Sequence, residues 1–95
     1  MYTGSMSLNI RNTELSLKAI ANARRLVILR ELKKKKTMTV GEIAEVAKLN
    51  IAPTSHHLRI LKSAGIIEYK RRGKFITYRL SLKQEEPVKL ILGIL

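Results

Sequence analysis

Apolar residues recur at helical spacing through the first two-thirds of the chain, then switch to alternation. From Leu8 to Asn22 they fall at 8, 10, 15, 17, 19, 20 and 21, and from Leu15 onward the spacing suits a helix. Asn12 or Thr13 is expected to cap its start, with Glu14 in the first turn. Asn22 reads as the stop of that helix and the N-cap of the next. Ala23 to Lys34 places Leu26, Val27, Ile28, Leu29 and Leu32 on a broad apolar face, away from Arg24, Arg25, Arg30 and Glu31. Lys33 to Lys36 then put cations at the negative end of the helix dipole, as a solvated terminus.

Thr37 to Val40 alternates and is β-prone, and Gly41 to Ala47 reads as a short helix with Ile43, Ala44 and Ala47 on one side. Thr39 lies three residues before Glu42, the spacing of a capping box. Lys48-Leu49-Asn50 predicts a turn, with Asn50 capping a further helix. Pro53 is tolerated there because a first-turn N–H has no helical partner. That helix runs to Ala64, and Gly65 supplies the left-handed stop. Beyond it the period falls from about 3.6 to about 2. Ile66 to Arg72 and Lys74 to Leu80, around Gly73, predict a β-hairpin with a basic tip. Pro87 to Leu95 closes the chain as a short apolar helix preceded by Glu85 and Glu86. The expected fold is mainly α (α+β), in the order helix, helix, strand, helix, helix, β-hairpin, helix. Residues 8–95 are expected to form one domain, with residues 1–7 a frayed polar tail.

Composition narrows the partner. Nineteen Lys and Arg against seven Glu, with Asp absent, give a net charge of +12. A field of that sign draws polyanions, nucleic acid foremost. No cysteine is present, so disulfides, thiolate nucleophiles and thiolate metal sites are excluded. No carboxylate pair, activated nucleophile or Gly-rich phosphate loop emerges, and an enzyme is not expected. No apolar run approaches the roughly 20 residues that span a bilayer, and no signal peptide is read at the start, so a cytoplasmic location is expected.

Two short helices joined by a tight turn, the second followed by a basic hairpin, describe a winged helix-turn-helix. A helix fits the major groove, the preceding helix braces it, and a two-stranded ribbon reaches beyond. Thr54-Ser55-His56-His57-Leu58-Arg59-Ile60-Leu61-Lys62-Ser63-Ala64-Gly65-Ile66-Ile67 closely resembles the recognition helix of the ArsR/SmtB-type winged-helix repressors. Leu17 to Leu29 resembles that family's early signature, Val40 to Ala44 its supporting helix, and Arg71 to Leu80 its wing. The resemblance spans about residues 15 to 80 and implies a homodimeric repressor of transcription on a palindromic operator. Family members that sense metal carry cysteines in the supporting helix, or His and carboxylates on a long C-terminal helix. Neither set is present here. His56 and His57 are adjacent and point about 100° apart, poor geometry for sharing an ion. No metal, cofactor or effector site is assigned.

Helical spacing turns Leu58 and Leu61 inward, with Thr54 and His57 partly buried beside them and His57 hydrogen-bonded locally. Ala52, Ser55, His56, Arg59 and Lys62 then project outward, toward base edges and phosphates. Arg71, Arg72 and Lys74 at the hairpin tip are expected on phosphates or the minor groove, and Thr39 can offer a hydroxyl and an N–H to a phosphate. Val88, Ile91, Leu92 and Leu95 recur at helical spacing and must be covered, either by the chain's own core or, as the family resemblance implies and is expected here, with Leu15 of the first helix across a subunit interface. The alternative is a winged-helix module for RNA or protein contact. Tyr69, Phe75 and Tyr78 in the hairpin would serve single-stranded RNA if exposed.

Overall fold

The computed structural model describes residues 9–95, so the expectation of a frayed tail over residues 1–7 lies outside the described residues. The elements are α1 (Ile10–Ile20), α2 (Ala23–Lys35), β1 (Met38–Thr39), α3 (Val40–Ala47), α4 (Ile51–Ser63), β2 (Ile67–Arg72), β3 (Phe75–Leu80) and α5 (Val88–Ile94). Their order is the one the hydrophobic pattern predicts.

Helix α1 starts earlier than its spacing suggests. Asn9, rather than Asn12 or Thr13, is the N-cap, and its side chain accepts from the Asn12 N–H at 3.1 Å. The added turn leaves Ile10 exposed, so no buried residue marks it in the sequence. Asn22 does cap α2, accepting from the Arg25 N–H at 3.1 Å. Thr39 and Glu42 form the capping box of α3: the Thr39 hydroxyl accepts from the Glu42 N–H at 3.2 Å, and the Thr39 N–H donates to Glu42 Oε1 at 2.8 Å. Lys48 closes α3 in the left-handed region at φ 56°, which swings the chain into α4.

Asn50 stands at the start of α4 but makes no side-chain cap hydrogen bond. Thr54 instead turns its hydroxyl back onto the Asn50 carbonyl at 2.8 Å. Gly65 adopts φ 75° after α4, a conformation in which a Cβ would be strained, and releases the chain into the hairpin. The sheet order is β1-β3-β2, all antiparallel, with Met38 opposite Tyr78 and Arg72 opposite Phe75. Lys74, expected in the second strand, shares the two-residue turn with Gly73, whose φ is 60°.

One apolar cluster joins all five helices and the root of the sheet. Ile20, Leu29, Leu32, Met38, Ile43, Leu58, Leu61, Ile67, Val88 and Leu92 are all buried in it. Helix α2 lies at the centre, with Ile28 and Leu29 fully enclosed. Lys33 is not a solvated end residue: its Nζ donates to the Leu92 carbonyl at 2.8 Å and to that of Leu95 at 3.2 Å, capping α5. Val88 and Leu92, expected between subunits, face the chain's own core because α5 docks by that stripe. Leu90 and Ile94, on the other side of α5, are 65% and 79% exposed.

Leu29→Ala is expected to cost about 2–5 kcal/mol of stability by chemical denaturation. A loss below about 1 kcal/mol would be inconsistent with a fully enclosed side chain at the centre of the core.

Candidate nucleic-acid interface

The pair α3–α4 is held from behind by the first turn of α2. Arg24 Nη1 donates to the Ala47 carbonyl and, at 3.2 Å, to that of Lys48, so a cation sits on the negative end of α3. Arg25 Nη1 meets His57 Nδ1 at 3.2 Å. A guanidinium only donates, so Nδ1 must accept and the neutral ring carries its hydrogen on Nε2. Burial lowers the His57 pKa, and the charges of Arg25, His56 and Arg24 lower it further. The sequence places Arg24 and Arg25 on the solvated side of α2 and gives His57 a local partner. Arg24 is exposed as expected, but Arg25 is half-buried and the partner of His57 is not local; these contacts span 23 to 32 residues, beyond the reach of local spacing.

On α4 the inward stripe is Thr54, Leu58 and Leu61, all buried. Ala52, His56, Arg59 and Lys62 are exposed on the opposite side, and Ser55 is half-buried beside them. The hairpin is tied to this helix at its root. Lys62 Nζ lies 4.3 Å from the centroid of the Tyr69 ring, a cation–π contact. Tyr69 also packs on Tyr78 across the ladder, ring centroids 6.1 Å apart. Arg79 Nε donates to Glu68 Oε2 at 2.6 Å on the neighbouring cross-strand pair. Beyond this root the ribbon stands clear, and Arg71, Arg72 and Lys74 are exposed at its tip. Phe75 is 70% exposed beside those cations and is a further candidate contact; alternation alone does not say which of Tyr69, Phe75 and Tyr78 a free-standing hairpin leaves most uncovered.

The backbone of Thr39 is not free to meet a phosphate as expected. Its N–H is occupied by the Glu42 carboxylate, whose charge also opposes a phosphate there. The rings of His56 and His57 are 6.1 Å apart and tilted by 54°. Among the described residues, no three His, Cys, Asp or Glu side chains are grouped as metal ligands.

A brace helix, a short turn, a helix with a polar and cationic outer side and a basic two-stranded ribbon together define a winged helix-turn-helix DNA-binding protein. Residues 22–69 match the family model described as bacterial regulatory protein, arsR family. The chain belongs to that family of transcriptional regulators, which are not enzymes. It is 45% identical over 64 residues, 67% of this chain and 70% of the relative, to the transcriptional repressor SdpR of Bacillus subtilis. It is 35% identical over 63 residues to a Staphylococcus aureus homologue of the cadmium resistance regulator CadC, 66% of this chain and 52% of that protein. The fold superposes with a TM-score of 0.78 on the homodimeric winged helix-turn-helix DNA-binding domain of a possible ArsR-family regulator from Mycobacterium bovis. That match has 30% identity and covers 99% of this chain and 83% of that one.

The lowered His57 pKa sets a pH dependence. As pH falls, the unfolded chain takes up this proton first, near the ordinary value of about 6.5, while the folded ring resists it. Stability is therefore expected to be complete above about pH 6.5 and to decline as pH drops through it toward the lowered value. Thermal unfolding between about pH 7.5 and about pH 5.5 should show this slope, and His57→Gln should flatten it. Equal slopes in both proteins would remove His57 as its source.

Proposed function

We propose that this chain is a transcriptional repressor that binds a palindromic operator as a homodimer, with the outer side of α4 in the major groove. The observation that carries this is the alignment of exposed Ala52, His56, Arg59 and Lys62 on α4 with a basic ribbon locked to the same helix through Lys62 and Tyr69. Ser55, His56 and Arg59 read base edges, and Ala52 offers an apolar contact to a thymine methyl. Lys62, Arg71, Arg72 and Lys74 bind phosphates, and Phe75 enters the minor groove beside them. The Thr39 hydroxyl accepts from the Glu42 N–H and keeps its proton to donate to a phosphate.

Subunit pairing through α1 and α5 is supported by their apolar surface. The two helices pack on each other, and Ile10, Leu15, Leu17, Leu90 and Ile94 are all exposed on them. Ile91 and Leu95, partly buried against the core, border that surface. The homodimeric M. bovis domain shares this fold, and a two-fold reader matches a two-fold operator. Repression follows the activity named for SdpR. A cytoplasmic site of action suits such a regulator, and among the described residues no helix is long and apolar enough to cross a membrane.

Duplex DNA is favoured over single-stranded RNA by the aromatics. Tyr69 and Tyr78 are engaged with each other, and Tyr69 also with Lys62. Phe75 alone offers no platform for successive stacked bases.

Selection of bound fragments from genomic DNA at two salt concentrations tests the reading. A small set of palindromic sequences should survive high salt, whereas uniform loss of every fragment would overturn specific recognition. Arg59→Ala is expected to cost about 1–3 kcal/mol and relax base preference, while Lys74→Ala weakens all sequences alike and reduces the salt slope by about 1. Identical, sequence-independent losses in both would contradict the division between reading and anchoring residues. Ile94→Glu should shift the protein to monomer in sedimentation equilibrium while its circular dichroism is unchanged. A wild-type protein already monomeric at operator-binding concentrations would exclude this interface.

A further inference from the structure

A cleft of about 390 Å³ opens between α1, the start of α2 and the flank of α4. Its apolar lining includes Ala19, Ile60 and Ala64; Lys18, Arg25 and Arg59 also line it, and among the described residues no carboxylate does. This volume lies within the roughly 300–1,000 Å³ typical of small-molecule sites, which pair mostly apolar walls with a few placed polar groups. Arg25 gives a second, independent sign. Its Nη1 is fixed on His57, yet its buried Nε has no hydrogen-bond partner among the described residues. Buried donors are normally satisfied, so the Arg25 guanidinium beside the cleft keeps hydrogen-bonding capacity that the protein does not use.

The geometry points to a binding site for a small amphipathic carboxylic acid. Its acyl or aryl body packs on Ala19, Ile60 and Ala64, and its carboxylate accepts from Arg25 under the positive potential of Lys18 and Arg59. A neutral ligand of the same shape would leave the charge of Arg25, Lys18 and Arg59 uncompensated. A bare inorganic anion would leave the apolar wall wet. An amphipathic acid satisfies both halves of the cleft.

Arg59 belongs to the cleft and to the outer side of α4, so the acid and DNA draw on the same guanidinium. Occupancy then lowers DNA affinity by reciprocal coupling. This coupling rests on the DNA-binding reading above, whereas ligand binding itself does not.

The test is titration of the nitrogen-15-labelled full chain, without DNA, with decanoate, 1-decanol and inorganic phosphate, followed by amide NMR shifts. Decanoate should bind saturably with shifts centred on Ala19, Arg25, Ile60 and Ala64, and about tenfold or more tightly than either probe. Arg25→Gln should weaken decanoate by about tenfold while leaving decanol unchanged. Ala64→Phe, which fills the cleft from the end of α4, should remove both. Equal affinity for decanol, no saturable shift, or shifts confined to Ile10, Leu90 and Ile94 would overturn the site, the last showing only adsorption on the apolar surface or competition with a second subunit. Release of a selected DNA fragment by decanoate supports the coupling. Binding in the cleft with DNA retention unchanged overturns the coupling but not the site. Failure of the ligand-free protein to select DNA would overturn the earlier reading alone.

Discussion

Two adjacent guanidinium groups at the start of α2 hold both helices of the reading unit. Arg24 closes on the last carbonyls of α3, and Arg25 closes on His57 of α4. Neither α3 nor α4 is long enough to be stable alone, since isolated helices shorter than about 12–15 residues are marginal in water. Their mutual angle is set by what they pack on. The buried Ile28, Leu29 and Leu32 supply the apolar part of that support, and the arginines supply the directional part. A grip of this kind keeps the outer side of α4 clear of the interior, and the DNA-facing chemistry depends on that clearance.

The cationic character of the chain acquires a spatial meaning in the fold. Arg24, Arg25 and Lys33 are engaged within the chain, on carbonyls or on a histidine ring. Arg59, Lys62, Arg71, Arg72 and Lys74 remain exposed on the helix and ribbon that face outward together. Net charge alone could not separate the two groups, because a lysine capping a helix and a lysine awaiting a phosphate have the same composition. Lys62 belongs partly to both, since its stack on Tyr69 fixes the ribbon root while its charge stays available to solvent.

Local signals in the sequence were reliable where the physics is local. The capping box Thr39–Glu42, the Asn22 cap, the Gly65 stop and the inward stripe of α4 were all legible, because each depends on residues within a few positions of one another. Asn50 shows the limit of that logic: the residue type and position fit a cap, yet its side chain accepts no hydrogen bond from the first turn of α4. The roles of Arg25, His57 and Lys33 were hidden for a different reason. Their partners are distant in sequence and become neighbours only when the helices are assembled around α2. The same holds for Val88 and Leu92, whose spacing announced an apolar stripe without saying which surface would cover it.

The Lys33 contact links the tail to this arrangement. One side chain of α2 ties down the terminal carbonyls of α5, while the opposite end of the same helix orients α4. Any pairing built on α5 thus inherits its angle from the rod that aims the reading helix. In the proposed pair, the two reading helices would work like the jaws of a caliper, with the tilt of α2 setting the distance they span along a duplex.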